Sequence, residues 1–155
     1  MPSALESVTA LARNILKHFW IAVVLGLLII VGSVLWHQRK SELIYVDNKP
    51  MLVELADTQH ARELGLSYRS SLARGHGMLF DFNKPSNDCM WMKGMHFPID
   101  VYWFSQTGKL ISYVQNVRPE SYPAIYCPNG ASSYMLEVNI GELPKLPASL
   151  NMPKQ

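Results

Sequence analysis

Nine consecutive residues, CMWMKGMHF from Cys89 to Phe97, bring together one thiol, three thioethers, an indole, an ammonium and an imidazole. Thioether sulfur and imidazole nitrogen are donors that Cu(I) selects, so Met90, Met92, Met95 and His96 form a candidate soft-metal set, with copper as the cofactor it would imply. A strand alternates its faces, however, which puts Met90 and Met92 on one side and Cys89, Trp91 and Lys93 on the other. The simpler expectation is that Met90 and Met92 fill a core with Met78 and Phe80, since thioethers pack adaptably against aromatic rings. On that expectation the protein carries no cofactor.

The opposite face suggests recognition. Trp91, Lys93, Asp100 and Tyr134 are expected to line a shallow cleft, with Trp and Tyr as stacking platforms and Lys and Asp as orienting groups for a carbohydrate or another small polar ligand. A hydrolase is the catalytic alternative, with Asp100 as general base beside Lys93. The sequence has no nucleophile elbow, P-loop or His-rich metal motif to favour it. Glu54, Arg62, Arg69 and Glu137 are embedded in apolar blocks and need partners if buried, so Arg62 and Arg69 are expected to clamp Glu54 or Glu137. Cys89 and Cys127 fit neither a C-x-x-C redox motif nor zinc-ligand spacing. In an exported domain they are expected to form one disulfide, the alternative being two buried thiols.

These side chains need a scaffold, and the pattern of residues 51–146 supplies one. MLVELA reads as a strand, Asp57 or Thr58 caps a short helix through Leu64, and Gly65 is placed to end it. GMLFDF, CMWM, VYWF, LISYVQNV and YMLEV read as strands rich in aromatic and branched residues, with Ser105 to Gly108 as a hairpin loop between two of them. Six of the chain's ten prolines fall here and argue against long helices. The expected fold class is α+β: a compact, β-rich, partly barrel-like antiparallel sheet with one short helix. Residues 37–50 read as a linker whose LIYV adds an edge strand, and 147–155 as a C-terminal tail.

The N-terminal part differs in kind. FWIAVVLGLLIIVGSVLW, Phe19 to Trp36, is eighteen residues without a charge, about 27 Å as a helix, and Trp20 and Trp36 stand near its ends. It predicts a transmembrane helix preceding the domain and left uncleaved, since GSVLWHQRK has no small-residue cleavage site. Residues 1–18, with Leu5, Val8, Leu11, Ala12, Ile15 and Leu16 at helical spacing, read as an amphipathic tail. Lys and Arg are balanced on the two flanks, so charge does not orient the span. The layout of short tail, span and long domain is that of a signal anchor, with the tail in the cytoplasm and the domain in the periplasm. The expected location is therefore a bacterial inner membrane, single-pass. Residues 41–155 carry ten Lys plus Arg against eleven Asp plus Glu, which leaves no basic stripe for nucleic acid. The expected partners are the membrane and a small molecule, a carbohydrate or an envelope protein.

VELADTQHARELGLSYRSSL, then GMLFDF, MWMKGMHFPIDVYWF, a G-K-L-I strand and SSYMLEVNIGE resemble, in order and spacing, the domain-of-unknown-function 192 family over residues 51–143. The resemblance implies a small β-rich domain, often found in bacterial proteins with a signal peptide or membrane anchor, and no established activity. Where members commonly read M-W-M-K-N-T, this chain has Gly94 and Met95 in place of the Asn-Thr pair.

Overall fold

The structure, a computed structural model, describes the backbone of residues 4–36, 40–143 and 145–151, and, N-terminal to residue 40, the side chains of 13, 14 and 16–31. It divides into two compact units, residues 1–39 and 40–155. The first is one helix, α1 (Ala4–Trp36). Among the described residues no helix is long and apolar enough to cross a membrane, so the expected transmembrane helix is not shown. Its stretch, Phe19 to Trp36, runs beyond the described side chains, as do Leu5, Val8, Leu11, Ala12 and Ile15 of the expected amphipathic tail.

The second unit is β-rich. Its main sheet is a curled half-barrel in the order β6 (Leu110–Val117), β5 (Ile99–Phe104), β8 (Ser132–Asn139), β3 (His76–Ser86), β2 (Lys49–Ala56), β1 (Ser41–Val46) and β9 (Leu150–Asn151). The linker's apolar run thus supplies β1, which is flanked by β2 and β9 rather than lying at an edge. It joins β2 through Asp47 and Asn48, both at positive φ (47° and 66°), the type I′ hairpin geometry that matches strand twist. The sheet is mixed rather than antiparallel throughout, because β2 and β3 pair in parallel, Val53 opposite Gly77 and Ala56 opposite Phe80. A parallel pair needs a crossover, and α2 (Gln59–Leu64) lies within it. Thr58 caps α2 by accepting from the Ala61 N–H at 3.1 Å, and Gly65 ends it at φ 50° with its N–H on the Ala61 carbonyl.

The C-terminal segment belongs to the sheet. Asp47 accepts from the N–H groups of Ala148 (3.0 Å) and Ser149 (2.9 Å). On the other side the Leu150 N–H donates to the Gly108 carbonyl at 2.8 Å, and Lys109 bridges Ser149. Residues 148–151 therefore tie β1 to the β5–β6 turn. At Gly108 φ is 76°, and a Cβ there would stand 1.8 Å from the Leu150 carbonyl oxygen, so only glycine fits.

Alternation sorts the apolar residues into two cores, one on each face of the sheet. Tyr102, Phe104, Leu136, Val138, Val53, Ile44 and Leu150 fill the inside of the curl. Ile99, Val101, Trp103, Met135, Met78, Phe80 and Phe82 face the other way and pack with Leu66, Met90, Met92 and Met95. All six residues of β5 are buried, as expected of a central strand covered on both faces. A two-stranded ribbon, β4 (Met90–Trp91) with β7 (Ile125–Tyr126), contributes to the second core.

A methionine-rich cavity around Glu137

Glu137 lies in mid-β8, two residues after Met135, so both side chains leave the same face of the sheet. Its cross-strand neighbours are Met78 on β3 and Val101 on β5. The residue is 5% exposed. Among the described residues no donor or cation pairs with its carboxyl, and burial alone raises its pKa from 4.5 to about 8. A carboxyl held away from water without a partner is stable chiefly as the neutral acid.

A cavity of about 350 Å³ opens over this carboxyl. The sheet contributes Phe80, Phe82, Met135 and Glu137, α2 and its following turn contribute Arg62, Glu63 and Leu66, and the β4 arm contributes Asp88, Trp91, Met90 and Met95. Three ties hold these walls. Arg62 Nη1 donates to the carbonyls of Asp57 (2.9 Å) and Asp81 (2.8 Å), fixing α2 to β3. Arg69 forms a bidentate pair with Glu54, at 2.5 and 2.8 Å. Ser67 Oγ donates to the Lys93 carbonyl at 2.8 Å, and the Tyr68 N–H to Gly94 at 2.7 Å. Cys89 and Cys127 are bonded, with Cα atoms 4.2 Å apart, and lock β4 to β7 at the rim.

The structure redistributes the expected site residues. Met90 and Met92 are buried on one side of their stretch while Trp91 and Lys93 are exposed on the other, and Lys93 Nζ lies 5.6 Å from the centre of the Trp91 ring. Met95 joins Met90 in the cavity wall, whereas Met92 packs in the core and His96 is exposed, so the four proposed metal donors do not converge. Asp100 is not the partner of Lys93. It is 2% exposed, and its carboxylate accepts from the N–H groups of Asn116 (2.7 Å) and Gly141 (2.9 Å). Tyr134 packs against the inner core, and burial, reinforced by the charge of Asp81, raises its pKa. The expected cleft of Trp91, Lys93, Asp100 and Tyr134 is therefore split between the two faces, which also separates the proposed hydrolytic pair. Of the four clamp residues, Glu54 and Arg69 pair, Arg62 serves backbone carbonyls, and Glu137 has the cavity.

The Gly94-Met95 departure has a local reading. Gly94 has φ 69°, a conformation that Asn also tolerates, so the change from Asn leaves the turn intact. The change at the next position places a thioether in the cavity wall instead of a hydroxyl. Sequence reading missed Met135, Phe82 and Glu63 as lining residues. The one signal for the site was an acid on the apolar face of YMLEV.

Comparison with known proteins agrees with this architecture. A solved structure from Sinorhizobium meliloti 1021, provisionally described as a transcription regulator, is 32% identical, with a TM-score of 0.68 over 74% of this chain and 95% of that one. A protein of unknown function from Novosphingobium aromaticivorans DSM 12444 shares the fold at 22% identity, with a TM-score of 0.63 over 73% and 84% of the two chains. No curated protein matches the chain. The model of the domain-of-unknown-function 192 family, described as an uncharacterised ACR, matches residues 43–149, and the chain belongs to that family.

Proposed function

We propose that this protein is a membrane-anchored binding module that holds a small, largely apolar ligand in the cavity around Glu137. The observation that carries the reading is a buried carboxyl without a partner in a half-open, Met- and aromatic-lined cavity of about 350 Å³. Such a group raises the free energy of the fold, and a ligand that completes its hydrogen bonding recovers that cost. The eighteen uncharged residues from Phe19 to Trp36 support a single-pass anchor in a bacterial inner membrane. The Cys89–Cys127 bond supports a periplasmic domain, since disulfides persist in oxidising compartments. The near balance of charge in the domain speaks against DNA binding, whatever the role of the Sinorhizobium relative.

The test uses full-length protein in lipid nanodiscs, labelled at its methionine methyls and titrated with 4-fluorobenzyl alcohol against empty nanodiscs. Saturable one-to-one binding that shifts Met90, Met95 and Met135 is the expected result, and Met135→Trp should abolish it. Absence of saturable binding, or equal binding by Met135→Trp, would overturn the reading.

A second reading has its own observation, since Met90, Met95 and Met135 all border this cavity. Three thioethers are a donor set for Cu(I). A competition titration with a Cu(I) chelator tests it: one equivalent bound, and lost in Met95→Leu, would replace the organic ligand with the metal.

A further inference from the structure

The charge around the cavity narrows the ligand class. The ionisable side chains on its lining are Arg62 and Glu63 from α2, Asp88 from the β4 arm, and Glu137 from the sheet. Arg62 already serves two carbonyls through Nη1. Next along the sheet, Glu54 is paired with Arg69, and Lys93 sits over the outer Trp91 ring. Three acids thus face one base. Phe80, Phe82 and Trp91 add aromatic rings, whose faces attract cations.

We propose, building on the binding-module reading, that the cavity takes an organic cation, an ammonium group attached to an apolar body, with Glu137 as its counter-ion. An anion would meet the like charge of Glu63 and Asp88, and a neutral ligand would leave Glu137 a neutral acid. An ammonium lets the carboxyl ionise in place: the Glu137 proton leaves to solvent, and the ligand's N–H groups donate to the carboxylate formed. The ligand keeps its own proton, so binding at neutral pH releases one proton per complex. The apolar body lies against Met90, Met95 and Met135, which gives the ligand two ends that the site distinguishes. Raised binding and raised proton release are therefore coupled, because both follow from the same ionisation.

Three probes that share one ring test this in full-length protein in nanodiscs by calorimetry: 4-fluorobenzylammonium, 4-fluorobenzyl alcohol and 4-fluorobenzoate. The ammonium should bind at least about tenfold more tightly than the alcohol, and benzoate should bind least. Repeating the ammonium titration at pH 7 in buffers of different ionisation enthalpy should show close to one proton released. Glu137→Gln keeps the side-chain shape; it should reduce the preference for the ammonium over the alcohol to within about twofold and abolish the proton release. Glu63→Gln, at the cavity wall and outside the sheet, should weaken the ammonium by a smaller factor without touching proton release. Equal affinity for ammonium and alcohol, tighter binding of benzoate, or an unchanged preference in Glu137→Gln would overturn the proposal. Alcohol binding retained in those cases would leave the binding-module reading in place, whereas loss of binding of all three probes would remove both.

Discussion

Replacing Glu137 by Gln should change how stability depends on pH, and the sign follows from the burial. The folded-state pKa is about 8 against 4.5 for the free group. Below pH 4.5 the carboxyl is protonated in both states and costs nothing through ionisation. As pH rises from there the unfolded chain loses the proton while the folded chain keeps it, so stability falls through the interval and levels off once pH passes about 8. At about 1.4 kcal/mol per pH unit, the full interval corresponds to about 5 kcal/mol. That is a large fraction of the 5–15 kcal/mol typical of a domain. Glutamine has nearly the same shape and does not titrate. Its buried amide, like the protonated acid it replaces, lacks a partner, a cost of about 1 to 3 kcal/mol that does not change with pH. The variant should therefore be close to wild type in stability at pH 4.5 and more stable at pH 8.5. The assay is urea unfolding of residues 40–155 at five pH values, followed by circular dichroism, with the difference between the two proteins as the readout so that other titrating groups cancel. Parallel pH profiles would refute the assignment of a raised pKa to Glu137, and a difference of the opposite sign would mean that an unseen cation holds it ionised.

Three further perturbations test the frame around the cavity by the same urea assay. Asp100→Ala strands the N–H groups of Asn116 and Gly141 and should cost about 3 kcal/mol; a loss under 1 kcal/mol would mean that Asp100 is a surface ligand group after all. Gly108→Ala forces a Cβ against the Leu150 carbonyl and should cost more than about 2 kcal/mol, releasing residues 148–151 to rapid amide exchange. Cys127→Ser opens a loop of 38 residues and should cost about 3 to 4 kcal/mol in the chain-entropy model, with Met90 and Trp91 showing the largest gain in solvent exchange.

Local rules in the sequence reached a good part of this fold. The capped helix, the Ser105–Gly108 hairpin, the span of β6 and the facing of Met90 and Met92 all follow from neighbours a few residues apart, where capping and alternation act. Pairing across long separations was not legible. The parallel register of β2 on β3 and the return of residues 148–151 to β1 depend on how the sheet curls, which no short window encodes. The site suffered most from this. Asp100 follows Lys93 by only seven residues, yet Gly94 and Pro98 redirect the chain and β5 turns Asp100 toward the opposite face. Arg69 had two acids to choose from, and register gave it Glu54. Glu137 was left with the cavity, so the residue expected to be half of a clamp lines that cavity without a partner.

The central claim is that the space over Glu137 is a binding site, and methionine-methyl NMR of the full-length protein with a 4-fluorobenzyl probe tests it most directly. The methyls of Met90, Met95 and Met135 border the cavity, while Met51 lies in the inner core on the other face of the sheet and serves as the internal control. Saturable shifts are expected at the first three and none at Met51. Shifts spread over both cores, or confined to Met51, would contradict it.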